Sequence, residues 1–381
     1  MSRRYRALSL LLILSISACS DGSGPRDNQR GLVATAISAG GAATCAITPT
    51  HSLVCWGWIN GSGEPPVTPS VLGQDLVRAV SMSRGWEHFC LVTLELKARC
   101  WGEMLLNATY FTELPRPYLT IAPELDFVAI APGASHACAT RVDATTMCWG
   151  SYNGGVRGTG QPAIEWTDHD APNVVAGGLT FIQVVSGNGA SCGLTAEGRA
   201  YCWGLSLLLG SPGAQLASPE ECLSLYYPQN QCVLAPVPVD GDLQLAELSA
   251  SANQTCGRTA GGQVYCWAAE APSEVVLPVA ATALSVGNFH SCILDATGQA
   301  YCWGSNRYGG LGRLPLSEAV LDPAPVATEL RFSRISAGGE HTCGLEDGSG
   351  TVYCWGYQQW FLLGAESEAA AATPVPAPAP G

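Results

Sequence analysis

Lysine occurs once in the 381 residues, at Lys97, and charged side chains of all kinds make up only 13%. Acidic residues outnumber basic ones 31 to 18, for a net charge of −13. A surface this poor in cations repels phosphate backbones, which argues against nucleic acid as a partner. Long apolar runs are scarce as well. The longest, "ALSLLLILSIS" at 7–17, is too short to span a bilayer as a helix. No catalytic constellation stands out: no G-x-S-x-G elbow, no H-E-x-x-H helix motif and no phosphate loop is recognised, so neither an enzyme activity nor a cofactor is expected. What is plentiful is glycine (44), proline (25) and cysteine (17), a composition suited to short strands joined by many turns.

The apolar run follows Arg3, Arg4 and Arg6 and precedes "ISAC", ending at Cys19. A basic region, a short apolar core and small residues make 1–18 a signal peptide. The tetrapeptide resembles the bacterial lipobox, which implies lipidation of Cys19 and export to the cell envelope, on the outer membrane where the bacterium has two. Residues 19–30 are polar and Gly-containing and are expected to form a flexible tether between the anchor and a folded domain at 31–381.

With Cys19 set aside for the lipid, sixteen cysteines remain. They fall into local pairs: Cys45 with Cys55, Cys90 with Cys100, Cys138 with Cys148, Cys192 with Cys202, Cys222 with Cys232, Cys256 with Cys266, Cys292 with Cys302 and Cys343 with Cys354. Zinc sites bring cysteines two to four apart, which none of these pairs does, so no metal is expected and an oxidising compartment favours disulfides. Seven of the pairs belong to a repeat that reads "CILDATGQAYCWG" at its clearest, from Cys292. Opposing Cys292 and Cys302 in an antiparallel hairpin leaves the loop Ala296-Thr297-Gly298, whose last position demands a left-handed residue. Gly198, Gly262 and Gly350 stand in that place in other copies, whereas His51, Leu96 and Ala144 replace it in the first three. Tyr301 and Trp303 flank the second cysteine and must face away from it, as must Tyr201 and Trp203, Tyr265 and Trp267, and Tyr353 and Trp355. They are expected to pack between adjacent sheets.

Upstream of each first cysteine lies an apolar alternation, as in "LRFSRISAGGEHTC", and before that a proline-marked extended piece such as "APVPV" at 235–239. Four short strands per unit, repeated around an axis, predict an all-β, seven-bladed β-propeller with four-stranded blades and hairpin disulfides inside each blade. The first copy lacks its proline-marked piece, and "TPVPAPAPG" at 373–381 follows the last. Two readings of that tail stand: it completes the first blade and closes the ring, or it is a disordered Pro-Ala tail.

The unit S-x-G-x-x-H-x-C…G-x-x-Y-C-W-G-x-N-x-x-G-x-L-G, nearly complete in "SVGNFHSCILDATGQAYCWGSNRYGGLG" at 285–312, resembles the regulator of chromosome condensation repeat in a bacterial, cysteine-bearing form. The resemblance covers about 32–381 and implies seven blades and a binding role; one eukaryotic member promotes nucleotide exchange on a small GTPase and a bacterial relative inhibits β-lactamase. The fifth copy departs from the pattern, with Ala268 after its tryptophan and no Leu-Gly ending. The repeat histidine is present as His88, His136, His290 and His341, and is replaced by Ala43, Ala190 and Gln254. One histidine per unit is expected to hydrogen-bond its own turn.

Spacings between successive first cysteines are 45, 48, 54, 64, 36 and 51, so the excess must sit in loops. The largest insertion, 211–232, carries its own cysteine pair and the candidate contact residues Leu225, Tyr226 and Tyr227. A disulfide-stapled loop with tyrosines is a pre-organised contact surface. Two further aromatic loops lie at 107–118 and 357–363. The function expected is a non-catalytic protein-binding scaffold at the envelope, joined to the membrane by its lipid. A glycan-binding module, with aromatic loops stacking on sugars, is the alternative. A polysaccharide-acting enzyme stands further off, since it would need carboxylates converging in the central funnel.

Overall fold

Each cysteine pair of the repeat sits at the centre of a hairpin whose register the sequence spacing dictates. The computed structural model describes residues 31–58, 70–72, 76–83, 89–101, 119–150, 153–162, 171–222, 231–358, 362–363 and 371–380. Seven hairpins in it pair cysteine directly against cysteine. Cys45 is bonded to Cys55, Cys90 to Cys100, Cys138 to Cys148 and Cys192 to Cys202. Cys256 is bonded to Cys266, Cys292 to Cys302 and Cys343 to Cys354. In all seven the Cα atoms lie 4.0–4.1 Å apart, the close approach of a non-hydrogen-bonded pair. At the loop ends Gly198, Gly262, Gly298 and Gly350 have φ of +79°, +85°, +80° and +70°. His51, Leu96 and Ala144 are forced into the same region at +63°, +65° and +65°.

One strand precedes each hairpin and one follows it, giving seven four-stranded antiparallel meanders, nearly all β. The leading strands are Ala36–Ala39, Val77–Met82, Phe127–Pro132, Gln183–Ser186, Leu245–Ala250, Ala283–Val286 and Phe332–Ala337. All seven line one central channel of about 380 Å³, so they are the innermost strands of a seven-bladed propeller. The outer strands are Ser70–Val71, Leu119–Ile121, Asn173–Val174, Cys232–Pro238, Ser273–Val275, Ser317–Pro325 and Ala371–Pro376.

The tail does not complete the first blade. That blade has its own outer strand, Ser70–Val71, and Ala371–Pro376 is the outer strand of the seventh, paired with Val352–Gly356. The proline-marked piece therefore ends a blade rather than starting one, because it pairs with the strand just before it in the chain. The tail still contributes to ring closure. Leu32 donates its N–H to Ala377 O at 2.8 Å and accepts from Val352 N–H at 2.8 Å, while Ala34 N–H donates to Gly350 O at 2.9 Å. Residues 31–34 thus take the place that the connection between blades occupies elsewhere, as where Val326 N–H meets Ala300 O and Phe332 N–H meets Gly298 O.

The two faces of each hairpin build the core. Cysteines point to one side and tryptophan to the other, so the tryptophan of one blade meets the disulfide of the blade before it. Trp149 packs with Cys90 and Cys100, Trp203 with Cys138 and Cys148, Trp267 with Cys192 and Cys202, and Trp355 with Cys292 and Cys302. Trp303 of blade six packs in the same way on Cys256 and Cys266 of blade five. Trp56 of blade one packs on Cys343 and Cys354 of blade seven and closes the circle. Trp56, Trp149, Trp203 and Trp355 are wholly buried. Burial of so large a side chain contributes on the order of 2–3 kcal/mol per interface.

Polar staples join the inner strands. Ser336 Oγ accepts from Ala39 N–H, Ser38 from Met82 N–H, Ser249 from Val286 N–H and Ser285 from Ala337 N–H, at 2.9–3.0 Å. Each bond runs from one blade to the next. Between blades four and five Gln183 replaces the serine, exchanging two bonds with the Leu248 backbone at 2.8 and 2.9 Å.

Candidate functional site

A meander blade has two ends. The hairpin tips and the connections to the next blade lie at one; the turns after the inner strands and the connectors from third to outer strand lie at the other. The connectors of the second kind are 58–69, 102–118, 151–172, 206–231, 268–272, 307–316 and 357–370, and they include every connecting segment longer than eight residues. All seven begin and end on the same face of the ring. Their lengths run from five residues (268–272) to 26 (206–231), whereas the connections on the opposite face run only from four (94–97) to eight (175–182). This connector face is the candidate functional site.

Five of the connectors start from the glycine after tryptophan. Gly57, Gly150, Gly204, Gly304 and Gly356 have φ between +91° and +112°. A Cβ on Gly304 would lie 2.6 Å from Phe289 O, so only glycine allows the bend. In blade six the connector then folds back over blade seven. Asn306, fully buried, holds it: its Nδ2 donates to the carbonyls of Arg313 and Pro315 at 2.7 and 2.8 Å, and its Oδ1 accepts from Leu311 N–H at 3.1 Å. The Trp355 indole N–H and the Thr342 hydroxyl both donate to Gly310 O at 2.9 Å. Trp203 and Trp56 bond Val156 O and Leu362 O in the same manner, at 2.9 and 2.8 Å.

The longest connector contains a helical turn, Pro219–Cys222, that the strand-and-turn reading of the sequence does not anticipate. Its signal is legible in "SPEE": Ser218 and Glu221 form a reciprocal capping box, at 2.8 and 3.2 Å, with proline at the first helical position. The hydrogen bond from Ser218 holds the Glu221 carboxyl below the usual range. Cys222 is bonded to Cys232, where the outer strand starts, with Cα atoms 5.9 Å apart. Leu225, Tyr226 and Tyr227 lie outside the described residues, as do Cys19, His88 and the 107–118 loop. In the third aromatic loop Leu362 and Leu363 tuck into the core, but Tyr357 is only half-buried. It packs on Tyr308 with ring centroids 4.3 Å apart, and the Arg307 guanidinium sits 5.1 Å from the Tyr308 ring. Burial raises the pKa of the neighbouring Glu340 carboxyl, and Arg307 opposes that shift. Tyrosine and arginine are among the residue types enriched in protein contacts.

The sequence suggests that each repeat histidine bonds its own turn; in the structure the ring Nε2 of each described repeat histidine bonds across blades instead. His136, His290 and His341 reach into the next blade, to Ser191, Thr342 and Thr44, at 2.7, 2.6 and 2.7 Å. The partner is always the residue before the next copy's first cysteine, a hydroxyl that local sequence does not connect to it. One of these pairs corrects the expectation about G-x-S-x-G, because the pattern itself is present. Gly189-Ala190-Ser191-Cys192-Gly193 spells G-x-S-x-G, and Ser191 does meet a histidine. It is mid-strand and 1% exposed, however, not on a strand-to-helix elbow, and threonine takes its place in the other two blades. Among the described residues lining the central channel the one carboxylate is Glu247, which is ion-paired with Arg258 at 2.9 Å.

These features define a disulfide-stapled, seven-bladed propeller with a regular frame and a variable connector face. Residues 181–206, 281–309 and 332–359 match the regulator of chromosome condensation (RCC1) repeat, and residues 297–345 match a second form of that repeat. The chain is similar in structure to human WBSCR16, at 16% identity over 82% of this chain and 84% of that one, with a TM-score of 0.64. It is also similar to the CRINKLY WD40 ectodomain of the Arabidopsis thaliana receptor kinase ACR4 (18% identity; 87% and 98% covered; TM-score 0.53). A third likeness is to the ectodomain of the Physcomitrella patens receptor kinase CR4 (19%; 84% and 72%; 0.51). At these identities the likeness is one of fold.

Proposed function

We propose that the protein is a non-catalytic scaffold that binds another protein through its connector face, exported and held at the cell envelope by a lipid on Cys19. The observation that carries this reading is the placement of every long connector on one face of an otherwise repetitive ring. Variation confined to one face of a rigid frame is the arrangement that binding loops require. The capped helical turn and disulfide of the 206–231 connector, and the patch formed by Tyr308, Tyr357 and Arg307, add pre-organised contact residues to that face. The ion pair on Glu247 and the burial of Ser191 weigh against chemistry in the channel or at the Ser–His pair.

The test is capture from envelope extract with two immobilised proteins: residues 20–381, and the same chain lacking 213–231 with Cys232→Ser so that no thiol is orphaned. The expected result is a protein retained by the first and lost from the second or bound far more weakly. Retention of polysaccharide with no protein would replace this reading with the glycan-binding one, and turnover of the polysaccharide would make the protein an enzyme.

A further inference from the structure

The fifth connector is the shortest, and its shortness leaves a gap. In blades four, six and seven the connector carries Leu-Gly, and the leucine is buried in the interface with the next blade: Leu209 beside Trp267, Leu311 beside Trp355, Leu363 beside Trp56. In the first two, the following glycine must be glycine because it presses on the indole; a Cβ on Gly210 would lie 2.5 Å from the Trp267 ring and one on Gly312 2.9 Å from Trp355 Nε1. Blade five has Ala268 where the others have the bending glycine, and Ala268 does not adopt positive φ. The chain runs through Glu270 straight to the outer strand at Ser273. Among the described residues nothing equivalent to Gly310-Leu311-Gly312 lies over blade six.

Two groups on blade six register the loss. Trp303, the counterpart of Trp355, is half-buried rather than buried; among the described residues its indole, like those of Trp149 and Trp267, has no carbonyl partner, whereas Trp355 has Gly310 O. Ser291, the counterpart of Thr342, is 1% exposed, and among the described residues its hydroxyl has no hydrogen-bond partner. Its histidine is gone because Gln254 replaces it, and its carbonyl is gone with the connector. A buried hydroxyl left unmade costs about 1–3 kcal/mol, which makes this an energetically incomplete site. Above it lies a cleft of about 630 Å³ on the connector face, floored by Ser291 and Trp303 and rimmed by Phe289 (55% exposed) and Val320 (83%).

We infer that this cleft between blades five and six binds a partner protein's loop bearing a Leu-Gly turn, in the place that the chain's own connectors fill elsewhere. The leucine enters beside Trp303. The carbonyl of the residue before it accepts from both Trp303 Nε1–H and Ser291 Oγ–H, as Gly310 O accepts from Trp355 and Thr342. The glycine lies flat on the indole. The occupant's chemistry is thus set by the chain's own copies of the same contact. This inference rests on the protein-binding reading and narrows it to one place and one motif.

The probe is a synthetic peptide with the sequence of residues 306–313, Asn-Arg-Tyr-Gly-Gly-Leu-Gly-Arg. It is titrated to about 10 mM while the Trp303 indole resonance, identified by its loss in Trp303→Phe, is followed by NMR. Saturable movement of that resonance is expected, with no movement when the peptide's leucine is replaced by aspartate. Ser291→Ala should weaken binding about five- to tenfold, the effect of one lost hydrogen bond. Trp303→Phe keeps an aromatic ring and loses the donor, and should weaken binding measured by calorimetry to a similar degree. An unmoved resonance, or equal binding of the aspartate peptide, overturns the proposal; equal affinity in both protein variants overturns the carbonyl cradle. Chitohexaose moving the resonance where the peptide does not would assign the cleft to a sugar. Failure here with success of the 213–231 capture would leave the scaffold reading standing and remove only this site.

Discussion

His341 shows how a repeat converts a titratable side chain into a structural one. It is fully buried, bonded to Thr44 across the seam where the ring closes, and burial, reinforced by His290, depresses its pKa to about 3. Well above pH 6.5 it is neutral in both folded and unfolded chains and contributes no pH dependence. Below 6.5 the unfolded chain takes up a proton that the folded one refuses until about pH 3, so stability is lost across that window as pH falls. His341→Gln retains a donor for Thr44 and cannot titrate. Denaturation in urea from pH 7 to pH 4 should show the wild type losing up to about 1.4 kcal/mol per pH unit more than the variant. Parallel curves would mean that His341 is protonated in the fold. The turn residues make the complementary case. Ala144 sits at φ +65° where four other copies use glycine. Ala144→Gly should stabilise the protein by about 0.5–1 kcal/mol, the relief of left-handed strain less the added chain entropy, measurable as a raised melting temperature. Gly298→Val should move it the other way, since its Cβ would also meet Phe332 O at 2.9 Å.

Among the elements, what repeats at fixed spacing within one hairpin can be read from the chain. Cys292 faces Cys302 and Gly298 closes the loop because the ten-residue spacing and the turn glycine select one hairpin register. The alternation that sends Trp355 away from Cys354 also buries it against blade six. Legibility stops where a contact leaves the hairpin. The proline-marked strand is assigned to the wrong blade by sequence because a cyclic repeat has no intrinsic start; any of its four strands can be taken as first. The histidine partners are unreadable because Ser191 lies 55 residues from His136 and Thr44 lies 297 from His341. The gap in blade five is visible as Ala268 and a missing Leu-Gly, but its meaning depends on Ser291 and Trp303 of the neighbouring blade.

For the whole molecule the weak point is the seam. Between blades six and seven the backbone is continuous; between seven and one, residues 31–34 and 371–380 are held by hydrogen bonds and by Trp56, Leu32 and Ala377 in a shared core. Ending the chain at residue 370 removes the outer strand of blade seven together with the Leu32 to Ala377 bond. The shortened protein should unfold in a less cooperative transition, with blades one and seven losing amide protection first in hydrogen exchange. Uniform protection around the ring would mean that the inner staples, such as Ser336 to Ala39, suffice to close it.

Residues 31–34 enter on the side of the hairpin tips, opposite the connectors. This sets a direction for the molecule. A chain fastened to a bilayer through Cys19 would have a tether of about a dozen residues, with a reach on the order of 20 Å. With a lipid there, the hairpin tips would face the headgroups and the connectors would face away from them. The ring would then act as a pedestal: its covalently braced underside stands on the membrane, and its variable upper side, with the stapled connector and the uncovered Trp303, meets whatever approaches from the aqueous side.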